Sequence, residues 1–157
     1  MEQNPLVGDD DLLSPSLSQT SRRELPAGSR PWRLGSQFYV AFFGGPLALG
    51  AIGFLNAERL GLPRVRALWI AGIGIAAFAA VVAAALLLDF ETATPRLLVA
   101  VAGVASFAAA RELQKEADRY YGLNRNEELA YDSLWQPGLV AVLVCGIGSL
   151  ALLRGLT

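Results

Sequence analysis

The side chains able to do chemistry in this chain are few, and their types narrow the options quickly. There is no histidine among the 157 residues, which removes the commonest general base, the commonest metal ligand and any His-ligated haem together. The single cysteine, Cys145, allows neither an intramolecular disulfide nor a C-x-x-C redox pair. Carboxylates gather at Glu112, Glu116, Asp118, Glu127, Glu128 and Asp132. With Lys115 and Arg119 among them they read as a solvated charged face, or as a contact for a cation or a basic partner. Two G-x-G-x-x-A strings start at Gly72 and Gly146. A dinucleotide site needs such a string between a strand and a helix, whereas both lie inside apolar runs, where helix packing explains them. Ser106 and Ser149 are the hydroxyls well inside such runs, and a serine there can bond its own helix backbone. No catalytic constellation emerges, so the chain is expected to be no enzyme and to hold no cofactor and no metal.

The elements that carry these residues are set by hydrophobicity. The run 67–88, ALWIAGIGIAAFAAVVAAALLL, contains no ionisable side chain. Crossing the hydrocarbon core of a bilayer takes about 20 such residues, and in lipid the backbone must satisfy its own polar groups as a helix. Apolar runs at 38–55, 97–110 and 138–153 flank it, more than a chain of this length can hide in a globule. Hydrophobic residues make up 54% of the chain and charged ones 17%, with a mean hydropathy of +0.41. The expected fold is all-α, a polytopic four-transmembrane-helix bundle spanning 37–154 behind a disordered polar tail, 1–36. The tail holds too little apolar surface to offset its ordering entropy. Its first residues, MEQNPLVGDDD, show no apolar signal region, so insertion through the first membrane helix is expected. The net charge of −1 offers no basic stripe for a nucleic acid.

Local signals refine the picture. Gly44-Gly45-Pro46 interrupts the first run, and Pro46 cannot donate to the carbonyl of Phe42, so a kink is expected. Trp32, Phe38 and Tyr39 suit the membrane interface. Asn56 and Gly61 suit helix termination, Pro63 a restart, and Thr94-Pro95 a helix start. The third run is short, but its helix is expected to continue past Arg111, with Leu113, Ala117, Tyr120 and Tyr121 on one face. Glu112 with Lys115 and Glu116 with Arg119 are spaced for ion pairs. A second short helix could start at Asn124 and end before Pro137, making 111–136 the one sizeable folded feature outside the bilayer.

Four crossings leave the orientation undecided. The tail, second loop and C-terminus would share Arg22, Arg23, Arg30, Arg33, Arg96 and Arg154, six in all. The first and third loops would share Arg59, Arg64, Arg66, Arg111, Lys115, Arg119 and Arg125, seven in all. Six against seven gives the positive-inside rule nothing to act on; the short, charge-dense loops tilt the reading slightly towards both termini outside. Arginines outnumber lysines twelve to one, which suggests a GC-rich bacterial genome and hence a bacterial cytoplasmic membrane.

Small residues recur four apart in every run: Gly44 and Ala48; Gly72, Ala76, Ala80 and Ala84; Ala102, Ser106 and Ala110; Ala141, Cys145 and Ser149. Helices in lipid gain nothing from hydrophobicity when they meet, so close approach across small side chains is expected to hold them together. Cys145 fits as a small packer. Two functional expectations follow. One is a non-enzymatic structural or accessory subunit that associates with itself or a larger membrane complex through its small-residue faces. Its outer contact would be Glu112, Glu116, Arg119, Tyr120 and Tyr121. The other is a small transporter or channel subunit built around the Gly44–Pro46 kink, as in broken-helix transporters.

The string Gly35-Ser36-Gln37-Phe38 through FFGGPLALGAIGFLN, Phe42 to Asn56, and on to RLGLPR resembles a group of small, uncharacterised four-helix bacterial membrane proteins. Their first span carries F-F-G-G-P-L-A, followed by a membrane-edge Asn and an L-G-x-P-R type loop. The resemblance covers 35–71. It implies the four-span architecture and structural weight for Phe43, Gly44, Gly45, Pro46 and Asn56, and it brings no activity with it.

Overall fold

Gly45 sets the architecture. Its backbone stands at φ 75°, ψ −169°, a region essentially closed to residues with a β-carbon. In the computed structural model, which describes residues 30–87, 94–123 and 131–156, this glycine turns α1 (Leu34–Arg59) back on itself. The sequence predicts a kink at Pro46, and the structure shows a full reversal. The main-chain N–H of Trp32, ahead of the first leg, donates to Oδ1 of Asn56, near the end of the second, at 2.6 Å. A β-carbon on Gly53 would lie 3.8 Å from Oε1 of Gln37, although a straight helix would hold residues 16 apart at about 24 Å. Leg 34–44 and leg 46–59 therefore lie side by side, with Trp32, Val40, Ala48 and Ile52 in one apolar cluster.

The second leg ends in a Schellman motif. Leu62 N–H bonds the carbonyl of Ala57 and Gly61 N–H that of Glu58, with Gly61 at φ 71°. Pro63 then restarts the chain into α2 (Arg64–Leu87). α3 (Thr94–Leu123) returns; it begins at the Thr94-Pro95 pair and runs well beyond Arg111, as expected. α4 (Trp135–Ala141) and α5 (Ile147–Leu156) form one rod through a π-helical turn, Val142–Gly146. The result is an all-α bundle. By length and composition four helices suffice to cross a membrane: Leu34–Arg59, Arg64–Leu87, Arg96–Leu123 and Trp135–Gly155. Over their apolar windows 56% of α1 is buried against 22–28% of the others, so α1 is the hub. The outer faces carry large apolar groups such as Trp69, Ile75, Leu86 and Val144, a surface that lipid, not water, accommodates. This is a multi-pass membrane protein.

Three expectations need correction here. The polar tail was expected to extend through Ser36, yet Pro31 and Trp32 are buried and α1 starts at Leu34. Trp32 is not an interfacial aromatic; the hairpin's base encloses it. Asn56 is likewise no helix terminator but a buried residue one turn before the end. The expectations for residues 1–29 and for the acidic link at 88–93 fall outside the described residues, as do residues 124–130 of the helix expected from Asn124. The rest of that helix is a further correction, since 131–134 are not helical and α4 begins at Trp135 and passes through Pro137.

Candidate functional site

The two ends of the hairpin are built from opposite materials. At the tip, Gly44, Gly45 and Pro46 are all buried, and each of the other rods presents a glycine to them. A β-carbon on Gly74 of α2 would stand 2.5 Å from the Pro46 carbonyl oxygen, and one on Gly103 of α3 would collide with the carbonyl of Ala41. One on Gly146 would lie 3.2 Å from the Phe43 carbonyl, at the π-turn where the rod of α4 widens against Gly44. Backbone fills the space beside Pro46. Proline frees a carbonyl here, and glycine lets neighbouring chains close over the break, which is the condition under which irregular backbone is tolerated at membrane depth.

At the base, four segments meet through polar groups. Gln37, Asn56 and Gln114 are essentially inaccessible, at 1%, 0% and 0% exposure. Asn56 accepts from Trp32 N–H and donates through Nδ2 to Oε1 of Gln114 at 3.0 Å. One amide thus ties the segment before α1, the second leg and α3. Arg59 adds a second tie: its guanidinium lies over the Trp32 ring, 3.8 Å from the centroid. It donates to the carbonyl of Arg30 at 3.0 Å and pairs with Asp132 at 3.7 Å. Asp132 N–H in turn bonds the Pro31 carbonyl at 2.9 Å. Beside them the Tyr131 hydroxyl donates to Oδ1 of Asp118 at 3.0 Å and its ring meets Tyr121. Burial first, and the Asp118 carboxylate second, push the Tyr131 phenol up to about 12.

Chemically the amides of the base are holding groups. They neither titrate nor attack. Nε2 of Gln37 and Nε2 of Gln114 are buried without a hydrogen-bond partner, donor capacity suited to a small oxygen acceptor. Gly53 keeps that space open, since its β-carbon would stand 2.7 Å from Ile70 Cγ2 and 3.6 Å from Gln114 Nε2. Among the described residues, no three His, Cys, Asp or Glu side chains come close enough to hold a metal ion.

Of the residues singled out from the sequence, Gly44, Gly45 and Pro46 form the tip of the hairpin and Asn56 lies at its base. The stripe Gly72, Ala76 and Ala80 joins neither: all three face outward, and Gly72 has nothing within 4 Å of its β-position. The α2 glycine that packs is Gly74, because the break in α1 selects one register and leaves its neighbour to lipid. Ser106, Ala110 and Ser149 do face inward, and Ser106 and Ser149 bond the carbonyls of Ala102 and Cys145 at 2.7 and 2.5 Å. Cys145 packs against the Val40–Ile52 cluster. Of the outer contact, Glu112, Glu116, Arg119 and Tyr120 are exposed, with Glu112 paired to Lys115; a Glu116–Arg119 pair is not among the ion pairs of the described residues. Tyr121 is buried at 7% exposure against Leu60 and Tyr131 and offers a partner nothing. Gln37 and Gln114 were not foreseen. The stripe Ala102, Ser106, Ala110 continues in register to Gln114, and that spacing was the signal.

Two grooves flank the first leg. One of about 870 Å³ runs between Tyr39, Phe43, Trp135, Leu139 and Val142, with Arg33 at its mouth. The other, about 700 Å³, has Phe38 and Phe107 as its floor and Arg33, Arg111, Lys115 and Arg119 above. No family model matches the chain, and no curated protein or solved structure is similar to it.

Proposed function

We propose that this protein is a non-enzymatic accessory subunit of a bacterial cytoplasmic membrane, acting by associating with a second copy or a larger membrane complex. The observation that carries the reading is the outward stripe Gly72, Ala76 and Ala80, a smooth helix face left exposed among the described residues. Close approach of a neighbouring helix across small residues is the main source of affinity between helices in lipid. The packing at the Gly44–Pro46 break counts against a transporter or channel path there, because glycine backbone occupies the space a path would need. The resemblance over 35–71 brings no activity to set against this reading.

The test is self-association in lipid, by energy transfer between labelled copies or by mass in mild detergent. Ala76→Leu is expected to abolish it while the bundle stays folded, and Cys145→Ala is expected to leave it intact. A monomer that brings nothing down with it from mild detergent removes the support.

A further inference from the structure

We propose that α1 is a re-entrant hairpin: both its ends lie on one face of the membrane, the chain crosses three times, and that face is cytoplasmic. Legs 34–44 and 46–59 are about 16 and 21 Å long at 1.5 Å per residue, so the tip stops well inside a core about 30 Å thick. α2, with 24 residues, reaches about 36 Å and crosses fully. α3 spaces the same landmarks at matching depth, since Gln114 meets the base and Gly103 the tip. Below the tip only the three crossing rods remain, joined through Val81, Ala85, Val99 and Leu153.

Reversal changes the charge count. The base face holds Arg30, Arg33, Arg59, Arg64, Arg66, Arg111, Lys115 and Arg119; the far face holds Arg96 and Arg154. That is eight against two among the described residues. Eight against two replaces a near-even count, and the positive-inside rule now assigns the base to the cytoplasm. The test places one tag ahead of residue 30 and another after residue 157, then probes right-side-out and inverted vesicles with antibody. The expected result is opposite faces, the first tag cytoplasmic. Tags on the same face, or the first tag outside, overturn the proposal.

A different observation carries a second inference. The 700 Å³ groove sets four cations above an aromatic floor; the acid that lines it, Asp118, is engaged by Tyr131, and of the cations Lys115 is paired with Glu112 outside the groove. The geometry points to an anionic phospholipid, with its phosphate at Arg33, Arg111 and Arg119 and its chains along Phe38 and Phe107. Guanidinium forks suit phosphate oxygens, and the apolar floor selects a lipid over a free anion. The experiment compares thermal unfolding of the detergent-solubilised protein with added phosphatidylglycerol, phosphatidylcholine or inorganic phosphate. Phosphatidylglycerol alone is expected to raise the midpoint, and Arg111→Gln with Arg119→Gln is expected to weaken its binding about fivefold per arginine. An equal rise with phosphatidylcholine or with inorganic phosphate, or a rise unchanged in the double variant, overturns it.

Discussion

The tip and the base of the hairpin are held by opposite means. At the tip, Gly74, Gly103 and Gly146 bring backbone against backbone. At the base, Asn56, Gln114, Arg59 and Asp132 knit the segments with directed polar contacts. The difference follows depth. Deep in hydrocarbon an unmatched polar group is costly and close packing is the available attraction, whereas near the interface a buried amide can be satisfied and fixes register. The tip therefore tolerates no added volume, and the base tolerates no lost hydrogen bond.

That contrast can be broken at either end. Gly103→Leu has the largest expected effect, because even its first added carbon meets the Ala41 carbonyl. Loss of about 3 kcal/mol or more and absence of folded protein in mild detergent are expected. Asn56→Ala comes next. It strands the Trp32 N–H and the Gln114 carbonyl oxygen, at about 1–3 kcal/mol each, measured as a lower midpoint of thermal or denaturant unfolding. Gly53→Ala tests whether the base is also tight, since Ile70 must shift; about 1–2 kcal/mol is expected. Tyr131→Phe is the mildest, at about 1 kcal/mol, and it carries a pH signature. The folded-state phenol is raised, so its contribution is complete below the ordinary phenol value of about 10 and is lost as pH rises through about 12. The gap in stability between the protein and Tyr131→Phe should close across that window.

Much of the fold was legible and the decisive turn was not. Hydrophobic run length located the four long apolar helices of the described residues, and proline chemistry marked Pro46 as a break. What the sequence cannot weigh is how far a glycine at φ 75° swings the following leg, because a kink and a reversal share the same residues. The count of crossings, and with it the charge balance, hangs on that one dihedral pair. The stripes were legible only as periodicities. Ala102, Ser106 and Ala110 face in while Gly72, Ala76 and Ala80 face out, a choice made by which glycine the tip accepts. The amide cluster was missed because Gln37 and Gln114 sit at the margins of their apolar runs, where a polar residue ordinarily meets water.

The central claim is that the chain reverses at Gly45, and a distance across the hairpin tests it most directly. In a Cys145→Ala background, Gly35→Cys and Leu55→Cys place spin labels at two exposed positions. Pulsed electron resonance in lipid should return a separation on the order of 10–20 Å for adjacent legs, against about 30 Å for a straight helix over the same 20 residues. The longer distance would contradict the hairpin and the three-crossing topology built on it.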